Sequence, residues 1–163
     1  MESQYQCENC KSDIKESDSF CSNCGSIFEE KKCSNHSENE AEGVCVICSE
    51  ALCNSCLGRV DDICLCVDHS DYEIYEGMAR VYGSSDFPEI KYIEDCLQKE
   101  GIKTFIYSRK ATNISLGGTD YSLFRPSGDF NGHLINEEKI MVPFDQVLKA
   151  KEIINNLEIE EQD

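Results

Sequence analysis

Between Cys33 and His69 the chain sets four two-ligand clips in a row: Cys33-x2-His36, Cys45-x2-Cys48, Cys53-x2-Cys56 and Cys66-x2-His69. Two more, Cys7-x2-Cys10 and Cys21-x2-Cys24, precede them. Thiolate sulfur and imidazole nitrogen are the ligands zinc takes in tetrahedral sites, and a two-residue spacing lets one tight turn aim both at a single ion. Six clips suffice for three four-coordinate zinc ions. Four protein ligands leave no open position for water or substrate, so sites of this kind are structural and not catalytic.

The elements that must position these ligands are short. In residues 1–30, ten residues separate the second cysteine of the first clip from the first of the next, enough for a small hairpin. Gly25, directly after Cys24, suits the left-handed backbone of such a knuckle. Tyr5, Ile14, Phe20, Ile27 and Phe28 are too few to form a self-sufficient core. A structural zinc supplies roughly 10–16 kcal/mol of apparent binding free energy, which becomes folding free energy. A redox dithiol is the rival reading, but it uses one C-x2-C at a helix start. Two facing pairs favour zinc. The pattern Y-x-C-x2-C…F-C-x2-C-G resembles the short N-terminal zinc ribbons of many bacterial and archaeal proteins.

In residues 31–70, neighbouring clips could pair in line, or alternate clips could pair. Only four residues separate Cys48 from Cys53, a tight link for clips sharing an ion, so the spacing favours alternation. Val44, Val46, Leu52, Leu57, Val60 and Leu65 punctuate the clips and would form a thin core. The run C-x2-H…V-C-x2-C…L-C-x2-C…L-C-x2-H resembles a B-box-type zinc finger in its prokaryotic form. That resemblance implies cross-bracing: Cys33, His36, Cys53 and Cys56 at one ion, and Cys45, Cys48, Cys66 and His69 at the other. Cys64 could replace Cys66 in the last clip. Cys66 is preferred because its spacing to His69 repeats that of Cys33 to His36 and matches the family pattern. His133 has no cysteine neighbour and reads as a loop or surface residue. B-box relatives usually serve as protein-interaction modules; a ubiquitin-ligase role would rest on analogy alone.

The chain has 163 residues and a net charge of −17. Residues 1–70 carry 14 acidic and 5 basic side chains, and residues 71–163 carry 18 and 10, so neither half offers a basic surface to phosphate backbones or anionic lipid. The acidity is read as a solvated surface in preference to a docking face for a basic partner. No apolar run approaches the ~18–20 residues that cross a membrane, and MESQYQCENC has neither the basic nor the apolar region of a signal peptide. A cytoplasmic location, where thiols stay reduced, is expected.

Residues 71–77 read as a polar linker, and residues 78–160 as an α+β domain. Met78–Tyr82 is a strand. Asp86 caps a helix with Glu89 completing a capping box, Ile90, Ile93 and Leu97 form one apolar face, and Gly101 ends it. Ile102–Tyr107 is a second strand and Lys139–Val142 a third. Residues 108–136 are loop-like, with a short hairpin expected around Tyr121–Phe124. A last helix after Pro143 carries Val147, Ala150, Ile154 and Leu157 on one face. The helix ending L-Q-K-E-G-I, the strand T-F-I-Y and the segment V-P-F-D-Q-V-L-K-A-K-E-I-I resemble the signal-transducing domain of unknown function that is related in fold to PII-like and ferredoxin-like proteins. The fold expected is therefore a zinc ribbon and a cross-braced finger followed by a small ferredoxin-like α+β sandwich.

In that domain Gly117-Gly118 lacks any phosphate-loop pattern. Arg109, Lys110 and Arg125 are read as solvated charge, and Cys96 as a small core residue. The function expected is a non-enzymatic, cytoplasmic zinc protein that holds three structural Zn²⁺ and acts as a protein-interaction or regulatory adaptor. The alternatives are a nucleic-acid-binding ribbon, disfavoured by the charge, and a small-ligand sensor in the C-terminal domain. That domain could also form a homodimer.

Overall fold

The computed structural model describes residues 5–108 and 137–160, with the backbone of 129–130 and 133–134 between them. The chain divides into two compact units, Met1–Gly77 with Phe144–Leu148, and Met78–Pro143 with Lys149–Asp163.

The first unit is built from two-residue ladders and turns. Strand β1 (Tyr5–Gln6) pairs antiparallel with β2 (Asp13–Ile14), and Phe20 bridges Ile27. Then β3 (Gly43–Val44) pairs with β4 (Ala51–Leu52), and β5 (Leu57–Val60) with β6 (Ile63–Cys66). The last hairpin turns through Asp61 and Asp62 at φ 48° and 65°, two successive left-handed residues, which match the right-handed twist of flanking strands. Val44, Val46, Ile47, Leu52 and Leu65 are buried and make up the thin core.

At the end of the finger Val67–His69 is a turn of 3-10 helix. Within residues 71–77 Tyr72 packs edge-on against the His69 ring at 5.7 Å, and β7 (Ile74–Tyr75) follows. Gly77, at φ +78°, lies against Asn23, so an added Cβ would stand 2.9 Å from the Asn23 Oδ1.

The second unit is a small antiparallel sheet with two helices. Strand β8 (Met78–Ser84) precedes helix α1 (Phe87–Lys99) and β9 (Phe105–Ser108). A short hairpin pairs β10 (Asp129–Phe130) with β11 (His133–Leu134). Strand β12 (Glu138–Pro143) then pairs with β8 on one side and β9 on the other, before α2 (Val147–Glu160). Val81, Ile90, Leu97, Ile140, Val142 and Ile154 are buried.

Local details differ from the sequence reading. Gly83 and Ser84 continue β8 instead of turning. Ile102 is no strand residue; its N–H donates to the Leu97 carbonyl while Gly101 stands at φ +77°, so it closes the helix as a buried C-terminal cap. The capping box does not form. Asp86 makes no side-chain cap, and Glu89 instead accepts hydrogen bonds from Tyr82 Oη at 2.6 Å and from Ser84 Oγ. Two hydroxyls of the neighbouring strand outcompete the helix's own N–H. The hairpin expected near Tyr121–Phe124, with Arg109, Lys110, Gly117, Gly118 and Arg125, lies outside the described residues.

Candidate metal centres

The clips at Cys7, Cys21 and Cys45 are built alike. The carbonyl of each first cysteine accepts from the N–H four residues on (Lys11, Gly25, Ser49), at 2.8–2.9 Å. Its own N–H donates to the carbonyl five residues on (Ser12, Ser26, Glu50), also at 2.8–2.9 Å. The residue after the second cysteine takes a left-handed backbone in every case: φ 61° at Lys11, 81° at Gly25 and 62° at Ser49. The sequence points to such a position only at Gly25, and there the glycine serves a second purpose. A Cβ on Gly25 would overlap the Val44 carbonyl oxygen, whereas Lys11 and Ser49 are exposed.

The clips bring their side chains together in three groups of four: Cys7, Cys10, Cys21 and Cys24; Cys33, His36, Cys53 and Cys56; Cys45, Cys48, Cys66 and His69. Within each group all ligand atoms lie within 4.8 Å of one another. Clip one of the finger thus meets clip three, and clip two meets clip four. Sulfurs about 2.3 Å from one ion in a tetrahedron stand about 3.8 Å apart, and a sulfur–nitrogen edge is about 3.5 Å. Cys7 and Cys24 Sγ are 3.7 Å apart, and Cys10 and Cys21 Sγ 3.6 Å. Nδ1 of His36 stands 3.9, 3.5 and 3.3 Å from the sulfurs of Cys33, Cys53 and Cys56. Nδ1 of His69 is 3.5 Å from Cys45 and 3.0 Å from Cys66, and Cys48 lies 3.9 Å from Cys66. The donor types and spacings fit a tetrahedral ion such as zinc at each group.

Cys64 is in none of the groups. Its thiol is fully buried beside Gly25 and Gly43, and burial pushes it up from its ordinary pKa. Its backbone acts elsewhere. The Cys64 N–H donates to the Cys24 carbonyl at 2.9 Å, and the Cys64 carbonyl accepts from Val46 N–H at 3.1 Å. Beside it, Val44 N–H donates to the Gly25 carbonyl at 2.8 Å. These bonds splice the four-cysteine knuckle to the finger.

Sequence reasoning missed three hydroxyls. Ser12 Oγ lies 2.9 Å from Cys10 Sγ and 3.3 Å from Cys21 Sγ; Ser26 Oγ is 3.1 Å from Cys24 Sγ, and Ser55 Oγ 3.1 Å from Cys53 Sγ. Each serine stands two residues after a cysteine, so the repeated C-x-S was a signal to be read. A hydroxyl in this place donates to a thiolate and orients it. The Ser55 side chain leads a set of hydrogen bonds that outweighs burial and brings Cys53 down to about 5. Burial opposes ionisation of Cys10, yet bonds from Ser12 and Asn23 carry it down to about 6. Burial pushes Cys21 and Cys48 up to about 12. Hydrogen bonds to Cys53 and Cys33 raise His36. An arriving cation therefore finds some sulfurs already anionic and must displace protons from others.

In the second unit, Glu137 is buried and paired with Arg80 over Gly83, with Lys139 Nζ 3.7 Å away. Cys96 is half-buried on α1. No described helix is long and apolar enough to cross a membrane. Comparison of the chain with protein-family models, with curated proteins and with solved structures gives no match.

Proposed function

We propose that this chain is a non-enzymatic zinc protein, in which a four-cysteine ribbon and a cross-braced B-box-like finger form a rigid platform for a protein partner. The carrying observation is closure. Each of the three groups presents four protein donor atoms within 4.8 Å of one another, so an ion bound there has no coordination position left for substrate. The metal supplies folding free energy that the thin core of the first unit cannot, and it fixes the surface around each knuckle. The second unit, read as a signal-transducing domain of the PII-like or ferredoxin-like kind, would carry a ligand or partner of its own. The platform would work in the cytoplasm.

Mass spectrometry of the native full chain is the test. Three zinc ions per chain are expected, and cobalt substitution should give the visible absorption of tetrahedral thiolate sites. A folded chain free of metal, or a site with a coordinated exchangeable water, would overturn the reading. A nucleic-acid role is disfavoured by sign, because a net charge of −17 removes the electrostatic attraction on which non-specific binding depends.

A further inference from the structure

The four-cysteine ribbon exposes aromatic surface that its own folding leaves uncovered. Tyr5 is 45% and Phe28 42% exposed, although this stretch has few apolar side chains to spare. Phe28 is held in place: its N–H donates to the Ser19 carbonyl at 3.0 Å, and its neighbour Ile27 is bridged to Phe20. The segment Ser26–Phe28 forms a ridge with a cleft on each side. One cleft, of about 590 Å³, runs between the ridge, Tyr5 and Ile14, and is edged by Glu8, Glu16 and Asp18 with Lys15. The other, of about 460 Å³, is edged by Glu29, Glu30, Glu40 and Glu42 with Lys31. The amine of Lys31 donates to the Ser19 hydroxyl at 2.8 Å and stands over the Phe20 ring at 5.6 Å.

We infer that this double cleft is a docking groove for a basic, extended peptide segment of a protein partner, with an apolar side chain seated against Tyr5 and Phe28 and arginine or lysine side chains reaching the carboxylates on either side. The inference rests on the adaptor reading and gives that adaptor's partner its chemistry. Seven carboxylates against two lysines set the sign of the occupant. A second copy of this chain, at −17, is repelled, as is a nucleic acid. Two clefts astride one ridge call for a chain long enough to cross it, which a single small cation is not. The exposed rings supply apolar contact and the rim supplies steering and register.

Fluorescence anisotropy with the zinc-loaded full chain tests this. The probe is a short labelled peptide of alternating arginine and leucine, compared with arginine–serine and glutamate–leucine peptides of equal length. Saturable binding of the first peptide at low salt is expected. Phe28→Ser and the charge reversal Glu29→Lys/Glu30→Lys should each weaken it by roughly tenfold or more, as for central contacts of an interface. Both changes are on exposed side chains, so three zinc ions should remain by native mass spectrometry. Binding that ignores Phe28→Ser, or that spermine or the arginine–serine peptide reproduces, would reduce the groove to a polyanion and overturn the proposal. So would absence of binding at low salt. With zinc stoichiometry intact, either result removes the groove and leaves the adaptor reading standing; loss of the stoichiometry removes both.

Discussion

Cys64 and Cys66 are two residues apart, and both are buried, yet their substitutions should part company. Cys66→Ser removes a donor atom, so native mass spectrometry should count one ion fewer. Cys64→Ser should keep every ion but put a more strongly polar hydroxyl in the fully buried place of a thiol, a change worth about 1–3 kcal/mol of stability in a denaturant titration. Ser55→Ala should weaken the ion at its own group by roughly tenfold in a chelator competition, because the thiolate of Cys53 loses its donor. Protonation gives a further test. At neutral pH the thiols of Cys21 and Cys48, pushed up to about 12, still hold their protons, so zinc binding must release them. Lower pH therefore weakens binding, and calorimetry in buffers of different ionisation enthalpy should read a net proton release at about pH 7. Clip spacing and the B-box resemblance favoured Cys66 over Cys64, and it is Cys66 that gathers with Cys45, Cys48 and His69. The splicing role of Cys64 was not legible, because it resides in backbone bonds to Cys24 and Val46 that no side-chain pattern announces.

At the scale of elements, what could be read was what is periodic. The apolar face of α1 and its Gly101 stop follow from repeats of three and four and from a glycine that alone tolerates φ +77° cheaply. Ends and turns were less legible, since they are settled by competition. Glu89 had the right position for a capping box, but Tyr82 and Ser84 reach it first. Those two hydroxyls, Ser84 foremost, hold the Glu89 carboxyl below the usual carboxylate range. A depressed value means that the bonds favour the folded state above the unfolded carboxyl pKa and are lost as pH falls through the folded one. An NMR titration should place the Glu89 midpoint below 4.5, and Ser84→Ala should move it upward. The knuckles likewise hid two of their three left-handed positions, because Lys11 and Ser49 occupy a conformation that sequence reasoning reserves for glycine.

Across the whole molecule the two units obey different physics. The second has a buried apolar core of the ordinary kind, while the first depends on its donor groups to make up for a thin one. Hydrogen exchange under a strong chelator should therefore accelerate throughout residues 5–77 and leave the ladder of β8 with β12 protected. Equal loss in both units would contradict that division. Net charge, legible from the sequence at once, spoke against nucleic acid and lipid but could not say where on the surface the acids gather beside exposed rings; that needs the knuckle's three-dimensional course.

The splice at Gly25 bears on how such a chain meets scarcity. Cys24, a donor of one group, is bonded through its carbonyl to Cys64, two residues before Cys66, a donor of another. Ordering either group therefore straightens the path for its neighbour. Occupancy along this stretch should climb and fall steeply with free ion, as a threshold, and not as a sum of independent steps. Gly25→Ala, by forcing the Val44 carbonyl aside, should flatten that threshold into separate stages in a chelator titration. A chain wired in this way should gain or lose the ions of this stretch together and not one at a time.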